Sequence, residues 1–445
     1  MTDYSALVHE IAAEIETGRL KPGERLPPQR SFAYERKIAA STAGRVYAEL
    51  LRRGLVVGEV GRGTFVAGQA RDPGHTRTEP HDGRIDLEFN FPTVPQQAAM
   101  IARSLAGLQR VDVIGSAVGP VTSERLSAAR VTMADYYKSA AWRPEPDGFV
   151  FTGAGRQSIA AAISALVPVG GRLAIETLSY PMVKNIAARL GTTIVPIAMD
   201  SEGLRPDALA KAHRTTPLSA IYVQPVLHNP LGLTMSETRR QDLLRTAQRL
   251  GLFIIEDMVY GFLSDTPPLA ALDPERCIVA ESLSKSIAPG AAIGTLHVPS
   301  ALRDRVGATV RGGAWTAPPL PLEVAIRLVA DGTAAELKRL KRIDARKRQQ
   351  IMHKSFAGLQ IDADPASYHL WLRLPESWRS EAFATAAARQ GIAITPSLAF
   401  AMTPGHAPNA VRLALGLPSH DELQHAAERL ATLLRARPDD VDRTE

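Results

Sequence analysis

The apolar positions of this chain change rhythm twice. Over the first seventy residues they recur at helical spacing in three short runs. Leu7, Ile11 and Ile15 share one face of a first helix, which Gly18 ends. Ser31 is placed to cap a second helix, with Phe32, Ala33 and Ile38 inward. Ser41 or Thr42 is placed to cap a third, running through Val46, Tyr47, Leu50 and Leu51 to Gly54. Two β-prone runs, Val56-Val57 and Thr64-Phe65-Val66, flank a tip from Gly58 to Gly63 that carries Arg62. Three helices and a hairpin predict a winged helix-turn-helix over residues 1–68. From Gln69 to Arg84 the period vanishes and Pro, Gly and polar residues take over, which predicts a flexible linker over 69–84.

From Ile85 onward short apolar runs alternate with helical ones. Phe149 to Thr152, Arg172 to Ile175, Thr193 to Ala198, Ala220 to Val223, Phe253 to Ile255 and Cys277 to Ala280 read as strands. Ser158 to Leu166, Met182 to Leu190 and Glu237 to Leu250 read as helices between them. This alternation predicts an α/β body, a mostly parallel sheet covered by helices. Further on, one long helix from Glu323 to Met352, strands at Tyr368 to Leu374 and Asn409 to Gly416, and a closing helix from His420 to Leu434 predict a smaller α+β part. The body is therefore expected over 85–436, with a large part over about 120–310, a small part over about 330–436, and a disordered tail at 437–445.

Length and composition narrow this picture only a little. The 445 residues give room for two or three domains, and a net charge of +6 does not by itself indicate nucleic acid. One cysteine, Cys277, excludes an internal disulfide framework and suits a reducing compartment. No basic-then-apolar leader and no bilayer-length apolar run is present, so a soluble cytoplasmic protein is expected. Local charge says more. From Arg36 to Arg62 six basic residues (Arg36, Lys37, Arg45, Arg52, Arg53, Arg62) face two acidic ones, Glu49 and Glu59. On a winged helix this points to double-stranded DNA, with Arg30, Ser41, Thr42 and Arg45, plus Arg62 and Thr64 of the wing, as candidate contacts. A protein-interaction head with a solvated basic face is the alternative.

Ligands of parallel sheets bind beyond the carboxyl ends of the strands, and polar residues gather at those ends here. Thr152-Gly-Ala-Gly155-Arg156 opens a helix and offers backbone N–H groups to an anion. Tyr180 follows the next strand and can cover a flat ring. Asn229-Pro-Leu-Gly232 is a turn able to aim an amide inward. Asp257 and Tyr260 offer a carboxylate and a phenol. Ser282-Leu-Ser284-Lys285 sets a lysine among hydroxyls just past a buried strand, where desolvation lowers an ammonium's pKa and frees the amine to attack a carbonyl. Arg412 sits on a late strand and can clamp a carboxylate with two parallel hydrogen bonds. Each has a plain reading as turn, packing ring, helix cap, surface lysine or salt-bridged arginine. Together they match pyridoxal 5'-phosphate, which needs an imine-forming amine, an anion cradle and a carboxylate that keeps the ring nitrogen protonated.

Two stretches carry family resemblances. G-R-L-K-P-G-E-R-L-P-x-x-R followed by G-R-G-T-F-V resembles the GntR-type winged helix, over Tyr4 to Val66. Asn229-Pro-x-Gly, Asp257-x-x-Tyr260 and Ser282-x-Ser-Lys285 resemble the fold-type I aminotransferases. The second resemblance implies that Lys285 carries the cofactor as an imine and that Asp257 pairs with the pyridine nitrogen. It implies Asn229 and Tyr260 on the ring hydroxyl oxygen, Tyr180 stacked on the ring, and Ser282, Ser284, Gly155 and Arg156 around the phosphate. Arg412 then holds a ligand's α-carboxylate. Two positions depart from these patterns. Ala39-Ala40 stands where Ser-Arg often starts the recognition helix. Ala291-Ala292 stands where an arginine usually neutralises the phosphate, so Arg156 or a partner subunit is expected to substitute. The aromatic-Gly segment that reaches a neighbour's cofactor is not evident around Ile114 to Ala117.

Head and body together resemble the MocR family of transcriptional regulators. That resemblance implies a homodimer whose vitamin B6 enzyme fold senses an amine or amino-acid effector through Lys285 and modulates DNA binding. The rival reading is a working aminotransferase with an appended DNA-binding head, since Lys285, Asp257 and Arg412 are all present. No metal site is expected.

Overall fold

The computed structural model describes residues 4–21, 23–53, 55–59, 63–66, 84–403 and 407–436. Arg62, Gly54, most of the expected linker and the tail at 437–445 lie outside the described residues. The head has helices Tyr4–Glu16, Gln29–Glu35 and Ala40–Arg52 and an antiparallel hairpin, Val56–Glu59 with Gly63–Val66. Val8, Ile11, Phe32, Val46, Tyr47 and Leu50 form its core. The Tyr47 hydroxyl donates to the Pro27 carbonyl at 2.5 Å, so the one polar tip in that core is satisfied. Lys37, at φ 52, makes the sharp turn between the second and third helices.

The expected caps are corrected. The second helix begins before Ser31, after Pro28, and the third begins after Ala39; neither start has a side-chain cap bond. The extended backbone of Pro28 and Ala39 sets the entry angle instead, which leaves Ser31 within its helix and Ser41 and Thr42 in the first turn of theirs. Ser41 is thereby exposed rather than spent on its own backbone.

The body's large lobe is a seven-stranded sheet in the order Phe149–Thr152, Gly294–His297, Cys277–Ser282, Phe253–Asp257, Ala220–Val223, Arg172–Glu176, Thr193–Ile197. Only Gly294–His297 runs antiparallel to its neighbours. This strand was not among those expected, because G-T-L-H is too short and mixed to show a period. It fits because residue 294 is glycine: a Cβ there would meet Thr152 Oγ1 at 2.3 Å and Ser158 Oγ at 2.4 Å. Apolar clusters cover both faces of the sheet, which is why its central strands read as unbroken apolar runs.

The small lobe is an antiparallel four-stranded sheet of Ile361–Asp362, His369–Arg373, Ala410–Ala414 and Thr395–Pro396. Helices Ser380–Arg389 and His420–Arg435 back it, the latter opened by a capping box of Ser419 and Glu422. The expected single helix from Glu323 to Met352 is two, Pro319–Ala330 and Thr333–Ser355. They part at Asp331-Gly332, where Gly332 adopts φ 83, a conformation that stops a helix. The chain enters the body through this lobe: Ile85–Asp86 pairs with Ile392–Ala393, and Leu87 lies in the small-lobe core. The head meets the same lobe where the Arg379 guanidinium lies 4.2 Å from the centre of the Phe65 ring.

Candidate cofactor site

The carboxyl ends of the central strands build one end of the site. Asp257 closes the strand Phe253–Asp257, and its Oδ2 accepts from the Tyr222 hydroxyl at 2.6 Å and from Gln224 Nε2 at 3.0 Å. Its Oδ1 accepts from the Val259 N–H at 3.1 Å. Burial raises the Asp257 pKa above the usual carboxylate range, and these donors partly oppose the rise. Three donors fix the carboxylate in orientation, which suits it to hold a ring N–H. Burial also keeps the Tyr222 phenol protonated, well above its ordinary range. Gln224 Oε1 in turn accepts from the Asn229 N–H at 3.2 Å, next to a cis Asn229-Pro230 bond. Tyr260, pushed up to about 12 by burial, accepts from Asn90 Nδ2 at 2.9 Å. His369 packs 5.1 Å from the Tyr260 ring and is held down to about 3 by burial, hence neutral.

Lys285 lies in the short helix Leu283–Ser286, which the Ser282 side chain caps by accepting from the Ser284 N–H at 3.2 Å. Its Nζ donates to the Asn90 carbonyl and sits 3.8 Å from the centre of the Phe91 ring. Burial, then the like charges of Arg412, Arg156 and Lys341, lower its pKa to about 7, with Asp257 opposing. From beneath, Lys341 Nζ donates to the carbonyls of Lys285 at 3.0 Å and Ile287 at 2.6 Å. Helix Thr333–Ser355 carries a basic run from Lys338 to Lys354, and part of that run turns inward. Lys341 is fully buried, and Arg348 is buried on Asp344 and the Leu415 and Pro418 carbonyls.

The other end gathers groups able to hold an anion. Gly155 starts the helix Gly155–Leu166, and a Cβ there would come 2.7 Å from Ser282 Cβ, so glycine lets the turn close against the serine strand. No side chain caps this helix, which leaves its first N–H groups for a phosphate. Ser282 Oγ donates to Ser284 Oγ at 3.0 Å, and Arg156 Nε donates to the Tyr180 hydroxyl at 3.2 Å. Ala291 and Ala292 pack half-buried against an apolar cluster that includes Ile287 and Ile293. On the far side Arg412 is buried, its Nη1 donating to Asn229 Oδ1 at 3.2 Å and its Nη2 to the Glu88 carbonyl and to Thr395 Oγ1. Its buried Nε has no partner among the described residues.

The structure thus links the predicted residues. Asn229 bonds Arg412, Gln224 joins Asn229 to Asp257, Asn90 joins Tyr260 to Lys285, and Tyr180 meets Arg156. Sequence reading missed Tyr222, Gln224, Asn90, His369 and Lys341. Only the first two carried a signal: they alternate on one strand face next to Asp257. A glycine cradle closed on two serines, a three-donor carboxylate and a buried lysine fit pyridoxal phosphate.

In the head, Ser41 and Arg45 are exposed one turn apart, and the Arg45 guanidinium rests 4.2 Å over the Tyr4 ring. Arg30 is exposed on the second helix. Thr64 is half-buried in the hairpin and accepts through its carbonyl from the Leu26 N–H at 2.8 Å. Arg52 and Arg53 both pair with Glu49, which reduces the basic excess counted from sequence.

Residues 86–430 match the family model described as aminotransferase class I and II, and residues 3–66 match that of bacterial regulatory proteins, gntR family. An uncharacterized HTH-type transcriptional regulator, YdeF of Bacillus subtilis (strain 168), is 27% identical, over 97% of this chain and 94% of its own. The vitamin B6 salvage pathway transcriptional repressor PtsJ of Salmonella typhimurium is 25% identical, over 94% and 95%. An archaeal alanine:glyoxylate aminotransferase superposes with a TM-score of 0.71 at 24% identity, covering 79% of this chain and 91% of that one. This last likeness is one of fold. The chain belongs to the aminotransferase class I and II family, in the MocR-type arrangement of pyridoxal-phosphate-linked transcriptional regulators, where a GntR-family DNA-binding head precedes the body.

Proposed function

We propose that the protein is a DNA-binding regulator whose body captures pyridoxal phosphate through Lys285 and responds to an amine or amino acid. The observation that carries this reading is a buried lysine of lowered pKa sharing one site with Asp257 and with an incompletely partnered Arg412. The cofactor supplies an aldehyde carbon and an electron-withdrawing ring. Lys285 provides the nucleophilic amine. Asp257, oriented by Tyr222 and Gln224, holds the proton at the ring nitrogen. Tyr260 and Asn229 bind the ring hydroxyl oxygen, and Tyr180 covers the ring. Gly155, Ser282, Ser284 and Arg156 hold the phosphate, and Arg412 takes the carboxylate of an amino-acid effector. In the head, Ser41 and Thr42 face base edges while Arg30, Arg45, Arg62 and Thr64 meet the backbone or the minor groove.

A second copy of the chain is the proposed partner. The helix Val111–Val118 leaves Val111 84% and Val118 65% exposed, an apolar face that a homodimer would cover. No described helix is long and apolar enough to cross a membrane, in keeping with a cytoplasmic regulator. The test is purified protein with added pyridoxal phosphate and a DNA fragment selected by the protein from a random pool. Wild type should develop imine absorbance and a ligand-dependent DNA affinity, and Lys285→Ala should lose both. A full DNA response in Lys285→Ala would refute the sensor reading. Turnover of an amino acid with a keto acid would favour the second reading, a working aminotransferase, which the intact trio of Lys285, Asp257 and Arg412 supports.

A further inference from the structure

Arg84 opens the body downstream of the DNA head, and the residues that follow run into the ligand site. Ile85–Asp86 pairs with Ile392–Ala393. The Leu87 N–H donates to the Ala393 carbonyl and its carbonyl accepts from the Ala414 N–H, both at 2.8 Å, so this stretch is stitched into the small lobe. Asp86 Oδ1 then accepts from the Glu88 and Phe89 N–H groups at 2.8 and 3.0 Å and turns the chain out of the strand. Three bonds to site side chains follow at once. The Glu88 carbonyl accepts from Arg412 Nη2, the Asn90 carbonyl accepts from Lys285 Nζ, and Asn90 Nδ2 donates to the Tyr260 hydroxyl. The segment is anchored again where the Thr93 N–H donates to the Gly416 carbonyl at 3.2 Å. That approach needs glycine, since a Cβ on residue 416 would lie 2.9 Å from the Pro92 nitrogen. A short strap thus engages the proposed carboxylate clamp, nucleophilic amine and ring-binding phenol, and its upstream end, Arg84, lies on the side of the chain that leads back in sequence to the head.

We infer that Glu88–Phe91 transmits the state of the ligand site to the DNA head. The inference rests on the roles given above to Lys285 and Arg412. Lys285 joined to the cofactor's aldehyde carbon, with the aldehyde oxygen lost as water carrying both hydrogens of the neutral amine, would no longer donate to the Asn90 carbonyl. A carboxylate arriving at Arg412 competes in the same way with the Glu88 carbonyl. The cofactor thus loosens the strap at Asn90 and an effector carboxylate loosens it at Glu88, while an effector amine that displaces Lys285 returns the Asn90 donor; each change alters how the strap is held next to Arg84.

Hydrogen exchange by mass spectrometry on the full chain tests this, with pyridoxal phosphate alone and then with added L-alanine as the probe. Amide exchange in peptides spanning Leu87 to Phe91 should rise at least about threefold with pyridoxal phosphate and stay raised around Glu88 when L-alanine is added. A second arm inserts six Gly/Ser residues after Arg84, outside the site. The insertion should leave imine absorbance and strap exchange as in wild type, yet shrink the ligand-dependent change in DNA affinity to under about twofold. If no imine absorbance develops, the cofactor reading itself falls and takes the strap with it. If absorbance develops but strap exchange does not change, only the strap inference is overturned. It is also overturned if wild-type DNA affinity ignores both ligands. The same holds if the insertion preserves the response while Arg379→Ala, which removes the guanidinium lying over the Phe65 ring, abolishes it; the signal would then cross the contact between head and small lobe.

Discussion

The two ends of the cofactor site are built on different principles. At the ring end Asp257 accepts three hydrogen bonds, Tyr222 and Gln224 are themselves buried, and Tyr260 is tied to Asn90. At the phosphate end the wall is mostly neutral: a glycine turn, two hydroxyls, a helix N-terminus, and Ala291-Ala292. A helix N-terminus contributes about 0.3–1 kcal/mol to holding an anion, while a charged hydrogen bond contributes about 1.5–3 kcal/mol. On the roles proposed above, the contrast places cofactor retention on orientation of the ring and the bond to Lys285, with charge neutralisation left to Arg156.

The strongest way to break this contrast is Lys285→Ala. It should abolish imine absorbance and leave only weak, reversible cofactor binding, measurable by dialysis. Next, Asp257→Asn keeps the shape but removes the charge that holds the ring proton. Release of the cofactor's amine form on adding L-alanine, followed by stopped-flow absorbance, should slow about 100-fold, on the scale of losing one key electrostatic group. The pH dependence comes third. Below the Lys285 pKa of about 7 the capture rate should fall about tenfold per pH unit, and above it the rate should level off. Stability shares the sign: the folded pKa lies below the unfolded lysine value of about 10.4, so the folded chain binds fewer protons between the two. Unfolding free energy should therefore rise with pH across that window, with the full cost present below pH 7.

Ala292→Arg sharpens the comparison by restoring a cation to the neutral wall. Equilibrium titration should show the cofactor bound about tenfold tighter, worth about 1.4 kcal/mol. Arg156→Ala should weaken binding by a similar factor in wild type and by much less in the Ala292→Arg background, since the two cations would then share one anion. The smallest effect belongs to the head. Arg45→Ala should reduce the salt slope of DNA binding by about one and lower affinity a few-fold at fixed salt.

Much of this site could be read from the sequence because parallel strands place their ligand contacts at predictable ends. Asn229, Asp257, Tyr260 and Lys285 each follow an apolar run that reads as a strand, and each has a motif around it. The rest was hidden for definite reasons. Tyr222 is one of four buried residues in A-I-Y-V and looks like core. Asn90 precedes the large lobe by far in sequence and reaches Tyr260 only through the fold. Lys341 was masked by the cations around it, since a charge count cannot show that its ammonium turns inward to two carbonyls. The helix starts in the head misled in the opposite direction: serines and threonines at cap-like positions were left to face outward, because backbone geometry at Pro28 and Ala39 sufficed.

Gly294 sets a limit of another kind. The strand that separates the lysine-bearing strand from Phe149–Thr152 is spaced by a missing methyl group, with the Thr152 and Ser158 hydroxyl oxygens 2.3 and 2.4 Å from where it would stand. Even alanine at that position would act as a wedge and push the amine and the phosphate cradle apart by a fraction of an ångström. A distant homologue with any side chain there must have respaced this seam, so residue 294 serves as a diagnostic for which other chains can be threaded onto this site without rebuilding it.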